Sequence, residues 1–183
     1  MPAPIIINRW TGTSGTPTKT AITSANTVAN ATDTHQATAS SSTNPIRIPA
    51  SGTNYSYWVA TRLSATTTPA GTIDNIRWYS DGANNFGTGV TCKGQDASGY
   101  VQATGTVGTT GTQLGTAAYT TLSAAPSDVF TFTSGSPKTI GGSIVTPSTG
   151  DFGSFFIYQV EVTSTASPGT TAQETFTWLY DET

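Results

Sequence analysis

Charge is what this sequence has least of. Only 9% of its 183 residues are Asp, Glu, Lys or Arg, against about 25% in an ordinary globular domain. The seven basic residues, Arg9, Lys19, Arg47, Arg62, Arg77, Lys93 and Lys138, are scattered along the chain. No basic face gathers to neutralise phosphates, so nucleic acid is not an expected partner. Histidine and cysteine occur once each, as His35 and Cys92. One cysteine excludes an intramolecular disulfide, and one of each falls short of a zinc site. Nucleophilic catalysis of the Ser-His-Asp or Cys-His kind would have to use His35, which sits in a Thr/Ala/Ser-rich stretch where nothing preorganises it. Apolar runs are short, well under the ~20 residues that span a bilayer. The opening Met1 to Trp10 lacks the basic start and long apolar stretch of a secretory signal, so synthesis and retention in the cytoplasm, or release by a route other than the general secretory one, are expected.

Threonine fills about a fifth of the chain. It is β-branched, stiff at χ1, and suited to a half-exposed pleated surface, so solubility here rests on hydroxyls and amides. Hydrophobic residues make up 35%, yet four Trp, seven Tyr and seven Phe are among them. Each ring buries roughly 150–250 Å², which allows a thin core built on large side chains. Cys92 reads as one more small core residue.

Two parts differ in composition. From Thr11 to Thr43 the only large aliphatics are Ile22 and Val28. Such a segment cannot offset its own ordering entropy, so residues 1–43 are expected to form an extended polar N-terminal arm. Residues 44–183 are expected to form the folded domain, because strand signals begin after Asn44-Pro45. Tyr55, Tyr57, Val59, Thr61 and Leu63 alternate with Ser56, Trp58, Ala60 and Arg62. Ile76 and Trp78 fall on one face of 72–80, with Ile73, Arg77 and Tyr79 on the other. Phe156, Tyr158, Val160 and Val162 alternate with Phe155, Ile157, Gln159 and Glu161, and Phe176, Trp178 and Tyr180 with Thr175, Thr177 and Leu179. Shorter candidates lie at 90–93, 100–104, 113–122 and 129–133, while 104–115 and 164–170 read as loops. About eight to ten antiparallel strands, separated by Gly, Ser, Pro and Asn turns, predict an all-β fold of the β-sandwich or jelly-roll kind.

Candidate sites are few. Asp81-Gly82-Ala83-Asn84-Asn85 offers oxygen ligands for calcium, but the same residues make a plain turn. Glu161 and Glu174 lie on the two clearest strands, yet nothing places them as a catalytic pair. Neither metal, cofactor nor catalytic residue is therefore assigned. Tyr55, Tyr57, Trp58, Trp78 and Tyr79 lie on two neighbouring candidate strands; turned outward, they would form a flat surface for stacking on sugar rings, as in a carbohydrate-binding or host-adhesion module. Turned inward, Trp58, Trp78 and Trp178 would supply the core.

The polar Thr/Ala/Gly-rich N-terminal stretch, the Pro-Ile-Arg-Ile-Pro run at 45–49, Ile73 to Gly82 and the closing Thr175 to Thr183 give the chain its character. In these features it resembles virion structural proteins of tailed bacteriophages, particularly head-decoration or auxiliary capsid proteins. The resemblance implies a non-enzymatic β-sandwich or jelly roll that binds and reinforces the shell. Its implied partners are the major capsid protein or other virion proteins, and its implied state is a homo-oligomer, often a trimer, located in the virion. Tail, neck or head-fibre placement follows from the same likeness.

Overall fold

The structure, a computed structural model, describes residues 4–38 and 43–183. It is all-β, and every strand pairing among those residues is antiparallel. The strands are β1 (Ile5–Thr11), β2 (Thr18–Ala21), β3 (Thr53–Tyr55), β4 (Val59–Ala65), β5 (Ile73–Ser80) and β6 (Val90–Ala97). They continue with β7 (Gly105–Thr106), β8 (Thr110–Gly111), β9 (Ser127–Asp128), β10 (Lys138–Thr139), β11 (Gly150–Thr163) and β12 (Phe176–Glu182). A 3-10 turn at Val129–Thr131 interrupts the strands. The large sheet runs β2-β1-β4-β11-β6-β9, with β3 also paired to β11; the small one runs β10-β5-β12, and β7-β8 is a minor hairpin.

The N-terminal stretch is built into this arrangement. Ile5, Ile7, Arg9 and their neighbours form β1, which lies between β2 and β4 inside the large sheet. Asn30 and Ala31 have no exposed surface. The sheet thus takes strands from both sides of the composition change near residue 43, and residues 39–42 and 1–3 of the expected arm lie outside the described residues.

β11 is the axis of the large sheet. One edge carries β6 over eight residue pairs, and the other carries β3 and β4 end to end. Between Tyr55, opposite Glu161, and Val59, opposite Tyr158, the β3–β4 line takes four steps where β11 takes three. The extra residue swings the chain out of register: the N–H of Tyr57 leaves the sheet to donate to the Asn30 carbonyl. Tyr57 consequently packs beside Trp58 rather than with Val59 and Leu63, as simple alternation predicts.

A second bulge corrects the reading of β5. Three steps from Asp74 to Arg77 face two from Leu179 to Asp181, and Asn75 takes up the slack at a φ of 48°. Asparagine tolerates that left-handed conformation better than a bulky residue would. The parity change puts Ile73 on the same side as Ile76 and Trp78, and all three are buried together.

Both faces of the large sheet are covered. On one, Trp78 of β5 stacks on Phe156 of β11 at 3.8 Å between ring centroids, and Phe176 of β12 meets Tyr158 edge-on at 5.1 Å. On the other, Trp10, Phe155 and Ile157 are roofed by the 98–124 connection through Tyr119, Ala103 and Leu114. That connection includes two of the shorter candidate strands, 100–104 and 113–122, and neither forms one; its hold on the sheet is polar. Gln159, 1% exposed, donates to the Ser56 and Thr112 carbonyls at 2.6 and 2.8 Å and accepts from Leu114 N–H at 2.6 Å. Trp58 Nε1 donates to the Val101 carbonyl at 3.0 Å.

Replacing Gln159 with Leu keeps the volume but takes the side-chain partner from two buried main-chain groups and one partly buried one. Each such loss costs about 1–3 kcal/mol, and the effects are not additive, so Gln159→Leu should lower unfolding stability by about 3 kcal/mol. A denaturant midpoint unchanged from wild type would contradict the role given to this side chain.

Candidate functional site

The small sheet is narrower than the face it covers, and a groove of about 1200 Å³ remains beside it. Its lining includes Ile7 of β1, Thr61 of β4, and Tyr158 and Val160 of β11, which are residues of the inner face of the large sheet. Trp78 of β5 and Phe176 and Trp178 of β12 contribute from the small sheet, while β10 contributes nothing. The groove therefore opens on the β12 side. Residues 22–29 and 45–48 line it as well, as does the 166–175 connection leading into β12. Ile48, 38% exposed, and residues 170–173 bring it to the surface. Its only charged lining residues are Arg47 and Glu174.

The 22–29 segment has little to bury, yet it is held in place by a charge. Arg9, 1% exposed on β1, donates from Nη1 to Thr27 Oγ1 at 2.7 Å and to the Val28 carbonyl at 3.1 Å. Val28 N–H in turn donates to the Gln36 carbonyl at 2.8 Å. Burial pushes the Arg9 guanidinium pKa down, with Tyr158, Asp33 and Tyr100 acting in the opposite sense. No carboxylate of the described residues forms an ion pair with it. Asp33 instead accepts from Gly12 N–H at 2.9 Å and from Gln102 Nε2 at 3.2 Å, and burial raises its pKa. Arg9 Nε, both polar atoms of Asn30, His35 Nδ1 and Gln36 Oε1 are buried without hydrogen-bond partners.

The sequence-based site residues fall elsewhere than a surface platform requires. Tyr57, Trp58 and Trp78 are 4%, 3% and 1% exposed. They are also divided between the two faces of the large sheet, with Tyr57 and Trp58 under the 98–124 roof and Trp78 under the small sheet. Tyr55 and Tyr79 are half-buried. The five do not form a flat outward surface, because a chain this poor in aliphatics needs its rings inside. Trp178 is half-buried at the groove.

The acidic candidates are engaged separately. Glu161 pairs with Lys93 at 3.3 Å, and Glu174 accepts from Asn85 N–H at 2.5 Å. Asp81 accepts from Ala83 N–H at 3.0 Å and Asn84 from Phe86 N–H at 3.1 Å, two local turns of the kind these residues favour. Among the described residues no three His, Cys, Asp or Glu gather as metal ligands, and no helix is long and apolar enough to cross a membrane. Cys92 is fully buried, and burial pushes its thiol pKa well up. The groove itself is invisible to motif reading. Its one sequence signal is the set of apolar residues, Ile22, Val28, Ile46 and Ile48, that punctuate otherwise polar stretches.

No protein-family profile, curated sequence or solved structure matches this chain.

His35 ties the segment to pH. Burial first, and the Arg9 charge second, lower its folded pKa. The unfolded chain takes up that proton near pH 6.5 while the folded one resists it, so stability should fall as pH drops from 7.5 to 6.0. Asp33 acts with the opposite sign, since a raised folded pKa favours the fold as pH falls, but in the lower carboxylate range. The melting temperature of His35→Gln should be less sensitive between pH 7.5 and 6.0; an equal decline in both proteins would remove this assignment.

Proposed function

We propose that this chain is a non-enzymatic structural protein of a virion that works by contact, with head decoration as the role its sequence resemblance implies. The observation that carries the reading is the large apolar groove beside β12, a surface suited to docking another macromolecule. Concave, mainly apolar openings are where proteins usually take up ligands or partners. Two facing antiparallel sheets joined through Trp78 and Phe156 support the β-sandwich form of such proteins. The scarcity of charge fits dense packing of many copies, because long-range repulsion between neighbours is small. Weak single contacts suffice where a lattice presents many equivalent sites.

Particles purified from the source that encodes this chain should contain it in many copies, detectable by quantitative mass spectrometry after a density gradient. Its absence from such particles would remove the virion role. Ile48→Lys, at the groove's rim, should reduce its incorporation several-fold. Val107→Lys, on a residue 61% exposed and outside the groove, should not. Equal incorporation of both variants would separate the groove from attachment.

A further inference from the structure

We infer that the cavity between the 141–149 loop and the irregular part of β11 binds a small, singly charged carboxylate on a hydroxylated skeleton, the chemistry of an acidic sugar, with Arg62 holding the carboxylate. This cavity shares no lining residue with the groove, so the inference does not depend on what the groove docks.

A register change builds the cavity. From Phe152 to Phe156 β11 takes four steps where β4 takes two, from Leu63 to Thr61. The surplus takes Gly153 out of regular pairing at a φ of 68°, and its carbonyl accepts from Arg62 Nε at 2.8 Å. The neighbouring loop is pinned against this bulge. Ser154 N–H donates to the Gly141 carbonyl at 2.6 Å, and Ile144 exchanges two main-chain hydrogen bonds with Ile73 of β5 at 2.8 and 3.0 Å. Gly142 lies so near that a Cβ there would stand 2.8 Å from Gly153 Cα. A volume of about 470 Å³ is left between loop and bulge. Small-molecule sites ordinarily hold about 300–1000 Å³.

Arg62, which lines the cavity, is oriented, charged and unpaired. Its guanidinium lies over the Phe155 ring at 4.9 Å, and its Nε is taken by Gly153. Among the described residues its Nη atoms donate to nothing, and no carboxylate forms an ion pair with it. The two terminal nitrogens of a guanidinium match the two oxygens of a carboxylate. Asp151 also lines the cavity and acts to raise the Arg62 pKa against burial, but its own carboxylate is bonded to Lys19 of β2. Two cations and one anion leave a single positive charge, which suits one carboxylate and disfavours a phosphate dianion beside Asp151. Ser143, Thr146, Ser148 and Ser154 line the same cavity, and none of their hydroxyls is hydrogen-bonded among the described residues. Hydroxyls both donate and accept, so four of them suit a ligand that carries hydroxyls of its own.

The test titrates the full chain with D-glucuronate, D-glucose, hexanoate and inorganic phosphate, and follows backbone amide chemical shifts by NMR. Expected are saturable changes within 141–154 on adding glucuronate, with glucose about tenfold weaker, the size of a hydrogen bond to a charged group. Hexanoate and phosphate should both bind more weakly than glucuronate. Arg62→Gln should weaken glucuronate about tenfold. Because Arg62 also packs on Phe155, a second variant joins Ser143→Ala and Ser148→Ala, both at exposed positions. It should weaken glucuronate about threefold to tenfold and leave hexanoate unchanged. Several results overturn the inference. Silence toward glucuronate does so, as do shift changes confined to residues outside this cavity. Glucose as tight as glucuronate removes the carboxylate, and hexanoate tighter than glucuronate removes the hydroxylated skeleton. Phosphate tighter than either makes the cavity a general anion site. Unchanged glucuronate affinity in a folded Arg62→Gln removes Arg62, and in the serine pair it removes the cavity itself even where Arg62→Gln fails to fold.

Discussion

A strand buried on both faces needs two covers, and β11 imposes that demand on a chain with little apolar material to meet it. Phe156, Tyr158, Val160 and Val162 face the small sheet, while Phe155 and Ile157 face the 98–124 connection. The first cover is apolar and aromatic, centred on the Trp78–Phe156 stack. The second is an irregular chain, whose main-chain groups must be satisfied if they are to leave water. Gln159 meets part of that need from within the strand itself, binding three backbone groups at once. A polar residue at the centre of the sheet is what allows a Thr/Gly-rich loop to serve as a layer of the core.

The same scarcity explains the groove. Covering the whole inner face with a fourth strand in the small sheet would take another run of large side chains. The face over β1 and β4 is instead bordered by the 22–29 and 45–48 segments, which bring only Ile22, Val28, Ile46 and Ile48 as large aliphatics. Holding such a polar wall in place falls to Arg9, whose guanidinium is taken out of water to reach Thr27 and Val28. A buried cation is costly unless well bonded, so this wall is held in place at a cost in stability, and it borders the opening.

Alternation made β4, β11, β12 and most of β5 legible, because period-two patterning survives wherever a strand is regular. It failed where the register shifts. Tyr57 and Ile73 each lie beyond a bulge, and one extra residue exchanges the two faces. β1 escaped notice because Ile5-Ile6-Ile7 is a continuous apolar run followed by Asn8 and Arg9, without alternation, and because the polar stretch after it suggested an arm. The stacking platform of five aromatics rested on proximity in sequence, whereas the division between two cores depends on residues 56–58 and could not be read from spacing. The groove is formed by segments far apart in the chain, so no local pattern announces it.

The position of β11 has a consequence for how the molecule is made. It joins β3 and β4, near residue 60, to β6, near residue 94, yet occupies residues 150–163. During synthesis the earlier strands therefore emerge without their shared neighbour, and their edges stay open until that segment has left the ribosome. Topologies dominated by distant pairings fold slowly and expose sticky intermediates. A nascent chain so rich in threonine and so poor in long aliphatic runs is well suited to that wait, since the very composition that thins its core also keeps its unfinished forms from clinging to one another.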